Sequence, residues 1–397
     1  MNRKKIAVFT GNRAEYGLQT PILSALKMRI DMDYCLIVSG AHLDPNYGST
    51  LDEIQNDGFI VGAEVHIASE PDSRVSTAKA IASGIVAIAD ALERLSPSML
   101  IVYADRFESF AAVIAATQMG IPTVHVEGGD LTEGGALDDT VRHAMSKLAH
   151  IHFTTNSQAT NRLLAMGEES WRVMQVGLPT LDLVANKDYS SVEEIKEKLK
   201  LNFEKPIILF TQHSVTTQFQ EVLSQLTPSL DALKILAKKG FQVIITYPNN
   251  DAGGQAIADQ LVKLQHENFE NIQVHKSLGR RLYHGVLSLA LDDFCKIVCV
   301  GNSSSGIKEA QAFHCPAVNI GSRQDGRLRG VNVIDVDYCT EGIVRAIENC
   351  IDNKVFREKC RKSDNPYYFG DAGSKIAEFL ANLSLDDRLL RKKMTIV

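Results

Sequence analysis

The sequence predicts an α/β protein made of two doubly wound, Rossmann-like domains with a cleft between them. Short β-branched or aliphatic runs, each closed by Gly, Asp, Asn or His and each followed by a helix-like stretch, alternate along the chain in two successive series. A length of 397 residues suits two domains better than one. Between the two series the stretch 181–205 turns polar and charged; Ser191, Glu193 and Glu194 read as a helix start and Pro206 reopens a strand, so the linker belongs there.

In order, the first series offers strands at 5–10, 34–39, 99–103, 123–127, 150–154 and 173–176, with helical patterns at 19–29, 76–95, 107–119, 138–149 and 156–166. Its domain spans 1–180. The second series offers strands at 207–211, 243–247, 272–274, 297–300 and 317–320, and its domain spans 205–370. The stretch 371–397 reads as a helical segment that packs back on the first domain. Ligands of such sheets sit beyond the carboxyl ends of the strands, so the residues leaving strands in both halves are the candidates for function.

Composition excludes several classes. Hydrophobic residues make up 45% and charged residues 23%, which is ordinary for a globular chain and unlike a fibrous or disordered one. The 42 Lys and Arg against 48 Asp and Glu leave a net charge of -6, with no basic block, and this argues against a nucleic-acid partner. No run is read as a membrane span and the short apolar start resembles a first strand, so a cytoplasmic protein without a membrane partner is expected. The seven cysteines lie mostly in apolar segments, as buried thiols do, and lack the spacing of a zinc site. Neither a metal nor a cofactor is expected, and the apolar helices 76–95 and 107–119 suit a homodimer face.

Several strand ends carry chemistry. The first runs into Gly11-Asn12-Arg13-Ala14-Glu15-Tyr16-Gly17, a glycine-bounded turn that is not a dinucleotide fingerprint; Arg13 either clamps a diphosphate or lies on the surface of a tight turn. The third ends in Ala104-Asp105-Arg106, where Asp105 is either a cleft carboxylate or the cap of the next helix. Glu127 leaves the next strand before a glycine-rich loop, and Asp138 or Asp139 opens a helix with Arg142 and His143 on its solvated or packed face. In the second half His213 follows a strand within reach of a phosphate or leaving group, or serves structure, and Asn249 binds ligand or shapes its turn. The densest motif is Gly301-Asn302-Ser303-Ser304-Ser305-Gly306, whose small residues bare the N–H groups of a helix start to a diphosphate, with Glu309 placed to accept ribose hydroxyls and Arg323 adding a cation after the next strand. It is not a Walker A loop, which disfavours a kinase or ATPase.

Taken in order, GNRAEYG, YADRFES, HVEGGD, DDTVRHAMSKLAH, TQHSVTT, YPNNDAG, GNSSSGIKEA and GSRQ resemble the UDP-N-acetylglucosamine 2-epimerase family, in its hydrolysing branch that opens sialic-acid-type pathways. The resemblance covers most of the chain. It implies a fold of the glycosyltransferase-B type with UDP held mostly by the second domain. It places Arg13, Arg106, His213, Asn249, Ser303, Ser304, Glu309 and Arg323 at the nucleotide or its diphosphate, Ser277 near the uracil, and Gly17 and Gly301 in the substrate-binding turns. Asp105, Glu127 and Asp138 become acid/base carboxylates, with His213 beside them in the catalytic set. The implied reaction converts UDP-N-acetylglucosamine and water to UDP and N-acetylmannosamine through a 2-acetamidoglycal. The same reaction on UDP-2,4-diacetamido-2,4,6-trideoxyglucose is the alternative, motivated by the loop 131–137, which looks longer than in sialic-acid members. Gln255 stands where the similar animal enzyme has a lysine near its feedback site, so that feedback is not expected. A retaining glycosyltransferase of the same fold and a non-catalytic UDP-sugar binder are the readings from other classes.

Overall fold

The computed structural model describes residues 3–43, 50–67, 74–132, 137–249, 253–292 and 295–395. The chain divides into two compact units, and each is built on one parallel sheet. Unit 1 takes in Met1–Asp130, Leu137–Asp182 and Phe369–Val397; unit 2 takes in Leu131–Ala136 and Leu183–Tyr368.

In unit 1 seven strands, β1 (Lys4–Thr10), β2 (Met32–Ser39), β3 (Val61–Val65), β4 (Met99–Tyr103), β5 (Thr123–Val126), β6 (Ile151–Thr154) and β7 (Val173–Gln175), lie in the order β3-β2-β1-β4-β5-β6-β7. The strand order reverses between β1 and β4, where a doubly wound sheet opens its ligand crevice. Both faces of the sheet are covered: Ile6 and Val8 of β1 point into one core, and Ala7 and Phe9 into the other. This two-sided burial explains why the central strands read as continuous apolar runs. The helices are α1 (Arg13–Lys27), α2 (Leu51–Asn56), α3 (Arg74–Leu95), α4 (Phe107–Gln118), α5 (Leu137–Leu148) and α6 (Ser157–Ala165), and α7 (Thr180–Ala185) leads into unit 2. By length and composition alone Val75–Leu95 is apolar enough to cross a membrane, which corrects the expectation that no run is; its helix packs along α4.

Unit 2 carries α8 (Val192–Leu199), α9 (Val222–Lys238), α10 (Gly254–His266), α11 (Gly279–Ser288), α12 (Ser304–Lys308), α13 (Thr340–Asp352) and α14 (Lys354–Lys362). Its strands are β8 (Ile207–Thr211), β9 (Gln242–Thr246), β10 (Ile272–His275), β11 (Ile297–Gly301), β12 (Ala317–Ile320) and β13 (Val333–Val336), in the order β10-β9-β8-β11-β12-β13. The reversal falls between β8 and β11. Again the centre is apolar on both faces, Ile208 and Phe210 on one side of β8 and Ile207 and Leu209 on the other. The helix start read at 190–194 is α8, closed by a reciprocal capping box between Ser191 and Glu194.

After unit 2, α15 (Ala372–Asn382) and α16 (Asp387–Leu390) complete unit 1. Asp182 accepts hydrogen bonds from the N–H groups of Ala372 (3.0 Å) and Gly373 (2.8 Å) at the start of α15, and Gly373 lies so close to the Pro21 backbone that a Cβ there would stand 2.5 Å from its carbonyl oxygen. Six of the seven cysteines are buried and Cys339 is exposed.

Candidate active site

In unit 1 the candidates gather at the carboxyl ends of β1, β4 and β5. Asn12 caps α1 by accepting the Glu15 N–H at 3.0 Å, which sets Arg13 at the first helical position; the Arg13 side chain lies outside the described residues. Gly17 lies in the early turns of α1, and a Cβ there would meet nothing within 4 Å. Behind the turn Glu15 is buried, accepts from the Gly11 N–H and the Ser109 hydroxyl at 2.6 Å each, and has its carboxyl pushed up to about 8 by burial.

Asp105 does not cap α4. The cap position is Arg106, with extended backbone and no side-chain capping bond. Ala104, just before Asp105, adopts a left-handed backbone (φ 53°), and so does Glu127 at the end of β5 (φ 65°). Non-glycine residues in this region are strained, and here they mark two adjacent strand ends that re-aim the chain. Asp105 ion-pairs with the fully buried Arg142 of α5, while Arg106 stays 3.4 Å from the buried Glu108. Burial alone would lower the affinity of the Arg142 guanidinium for its proton. Asp105, Asp130, Glu127 and Asp139 oppose that effect and raise it overall. Arg142 is thus the shared cation of four carboxylates, and Asp105 and Glu127 are two of them.

Asp138 does not share the burial of that cluster. It is exposed on α5, whereas Asp139 is buried and faces Arg142 at 3.9 Å. Both acids neighbour Arg142 along the helix, one four residues before it and one three, and it is the Asp139 carboxylate that is buried with it. Arg142 and Asp139, read from the sequence as a solvated or packed face and as a helix start, thus join the cluster, signalled by their three-residue spacing, and Asp130 is the member to which the sequence reading gave no role. His125 braces the cluster from within β5, with Nε2 2.7 Å from the Ala104 carbonyl and Nδ1 3.0 Å from Ser146 Oγ, and burial holds its pKa down at about 3.

In unit 2 the candidates surround the ends of β8 and β11. Gly301 has φ 126°, and a Cβ on it would lie 1.9 Å from the Thr211 carbonyl oxygen, so only glycine fits beside β8. Next to it Asn302 grips His213 twice: its Oδ1 accepts the His213 N–H at 2.7 Å and its Nδ2 donates to the His213 carbonyl at 2.9 Å. The Asn249 backbone N–H donates to His213 Nδ1 at 3.0 Å, which leaves the ring hydrogen on Nε2. Burial, seconded by the Arg323 charge, keeps the His213 pKa well below its usual value, so the ring is a neutral Nε2–H donor. Arg323 Nη1 in turn reaches the Asn302 carbonyl at 3.2 Å.

Ser303 caps α12, a helix of only five residues, and takes hydrogen bonds from the Ser305 N–H (3.4 Å) and hydroxyl (3.1 Å). Ser304 is half-buried at the first helical position. Glu309 lies at the joint where α12 becomes a 3₁₀ turn, not further inside the helix, and its Oε2 is 2.6 Å from His284 Nε2. Ser277 is exposed beyond β10, its hydroxyl accepting the Gly279 N–H at 3.1 Å. Unit 2 thus brings His213, Asn249, Asn302, Ser303 and Arg323 together and leaves Ser277 beyond the end of β10, the edge strand next to β9.

Two Rossmann-like domains with polar, glycine-bounded strand ends define a fold of the glycosyltransferase-B type, and solved structures carry the same fold. The UDP-GlcNAc 2-epimerase of Neisseria meningitidis bound to UDP-GlcNAc superposes with a TM-score of 0.79 at 21% identity, covering 95% of this chain and 99% of that one. At the level of sequence, residues 24–381 match the family model described as UDP-N-acetylglucosamine 2-epimerase. A UDP-N,N'-diacetylbacillosamine 2-epimerase (hydrolyzing) of Legionella pneumophila is 32% identical over 98% of both chains. A UDP-N-acetylglucosamine 2-epimerase of Neisseria meningitidis serogroup B is 31% identical over 95% of this chain and 94% of its own. The chain belongs to the UDP-N-acetylglucosamine 2-epimerase family, and it is an enzyme, a hydrolysing UDP-sugar 2-epimerase.

Proposed function

We propose that the enzyme converts UDP-N,N'-diacetylbacillosamine and water to UDP and 2,4-diacetamido-2,4,6-trideoxymannose. The observation that carries the acid/base chemistry is the cluster in which Asp105, Glu127 and Asp139 share the Arg142 cation. The sugar is chosen from the relative matched over 98% of both chains. UDP-N-acetylglucosamine, yielding N-acetylmannosamine, is the second substrate, favoured by the Neisseria relative.

The reaction is redox-neutral. The C2–H bond is not next to a carbonyl, so a base cannot break it unaided; the C1–O bond must open with it, its electron pair leaving on UDP while the C2–H pair forms the C1=C2 bond. Water then adds oxygen to C1, and a proton reaches C2 on the opposite face. Two acid/base groups are therefore required. An ion pair favours the charged form of Asp105, which suits it to accept the C2 proton, and Glu127 or an α5 acid, Asp138 or Asp139, returns one. The neutral Nε2–H of His213, with Arg13, Arg106 and Arg323, supports the departing diphosphate, charge stabilisation being the largest demand of the first step. Ser303, Ser304, Asn249, Glu309 and Ser277 then hold the nucleotide, with Gly301 at the turn before Ser303 and Gly17, on α1, in the substrate-binding set.

Proton NMR of each UDP-sugar incubated in heavy water tests this reading. It expects UDP release, an inverted C2 and deuterium at C2, faster with the diacetamido sugar. Release of UDP only when an acceptor alcohol is added would mean glycosyl transfer instead, and no release from either sugar would remove the proposal.

A further inference from the structure

Glu309 of unit 2 is held by a buried histidine. His284 of α11 is 2% exposed, and its ring is tilted 56° to the Phe313 ring at a centroid distance of 5.4 Å. Its Nε2 lies 2.6 Å from Glu309 Oε2, while its Nδ1 is buried and has no hydrogen-bond partner among the described residues. A hydrogen on Nδ1 would be unsatisfied, so the ring carries it on Nε2 and donates to the carboxylate. The second oxygen of Glu309, Oε1, is engaged by none of the described residues, and the side chain keeps 13% of its surface exposed. The helix that carries His284 is itself fixed. Tyr283 Oη meets Ser305 Oγ at 2.6 Å, which ties α11 to the start of α12, and Arg280 meets the Asp188 carboxylate at 2.7 Å.

We propose that His284 is a positioning residue for nucleotide recognition: it holds Glu309 by one oxygen so that the other meets a ribose hydroxyl. This rests on the reading of unit 2 as the UDP-holding half. Because Glu309 sits at the break between α12 and a 3₁₀ turn, its own backbone does not fix its side chain, and an apolar neighbour at 284 would leave the carboxylate free to turn. A site that hydrogen-bonds a substrate hydroxyl rejects the analogue lacking it, so the effect belongs to the ribose hydroxyl and not to binding in general.

Calorimetric titration of the full-length enzyme with UDP and with 2'-deoxy-UDP tests the proposal. The wild type prefers UDP. His284→Leu reduces that preference roughly tenfold, to the level of Glu309→Ala, by loss of a hydrogen bond to a charged group. His284→Gln, whose amide reaches the same oxygen, restores it, and His284→Leu adds nothing in the Glu309→Ala background. His284→Asn, too short to reach, stands in for the leucine variant if that one does not fold. Equal weakening of both ligands, no weakening of either, or a wild type indifferent to the hydroxyl would overturn the role of His284 while UDP binding upholds the functional reading. A wild type that binds no UDP would overturn both.

Discussion

Arg142 shows how much one buried side chain decides. Its 1% exposure leaves no water to screen it, so its charge is felt by Asp105, Asp130, Glu127 and Asp139 together. Replacing it by methionine keeps the volume and removes the cation. The freed Asp105 then holds its proton to higher pH, because the arginine paired with it had favoured its charged form. Arg142→Met is expected to lower kcat by about 100-fold, and to move the acid limb of the kcat/KM profile upward in pH, with the UDP affinity unchanged; a variant that loses UDP binding and keeps its profile would contradict this. At Gly301 the argument is steric. Gly301→Ala puts a Cβ 1.9 Å from the Thr211 carbonyl at φ 126°, so β11 must move off β8. A cost of about 3 kcal/mol or more is expected in urea unfolding, with UDP binding lost.

At the scale of elements, α5 is held from behind by a residue remote in sequence. Lys392 Nζ reaches the carbonyls of Ser146 (3.0 Å), Lys147 (2.9 Å) and Ala149 (2.7 Å) at the end of α5, and the carboxylate of the buried Glu168 at 2.7 Å. A cation at a helix C-terminus meets both the orphan carbonyls and the helix dipole. Glu168 is also bound by Lys147 (2.6 Å) and His152 (3.1 Å), an arrangement that keeps its pKa down at about 2 although burial alone would raise it. Lys392→Met removes one partner of a buried charge, and a loss of about 3 kcal/mol is expected from denaturant titration. Turnover should fall with it, since α5 carries Arg142.

For the whole molecule the buried titrating groups set the pH dependence. Burial lowers His42 and His150 to about 4 and His125 to about 3, and lowers His152 and His213 as well. A histidine with a depressed folded pKa takes up its proton first in the unfolded chain, near pH 6.5, so below that pH each of these groups withdraws stability as pH falls. Glu15, raised to about 8, acts in the opposite sense: the folded chain keeps its proton, and stability is withdrawn as pH rises from about 4.5 to 8. Five histidines outweigh one carboxyl below 6.5, and the carboxyl acts without them between 6.5 and 8. Thermal unfolding is therefore expected to peak near pH 6.5, with Glu15→Gln flattening the decline toward pH 8; a melting temperature that rises steadily from pH 5 to 8 would refute the assignment.

The amino-acid sequence by itself determined the periodicities. Central strands buried on both faces are continuous apolar runs, which is why β1, β4, β8 and β11 are legible, as are the polar residues that leave them. The missed strands β3 and β13 are edge strands, Val61-Gly62-Ala63-Glu64-Val65 and Val333-Ile334-Asp335-Val336, whose partial exposure admits Gly, Glu and Asp and breaks the run. What only the tertiary structure decided is which polar side chain faces which. The spacing of Asp139 and Arg142 puts them on one face of α5, and only the packing of α5 shows that this face is buried; Arg142, a surface type by composition, is buried where Asp105 after β4, Glu127 and Asp130 after β5, and Asp139 bring charge to it. Burial follows from three-dimensional neighbours, and neighbours from different strands carry no fixed separation along the chain.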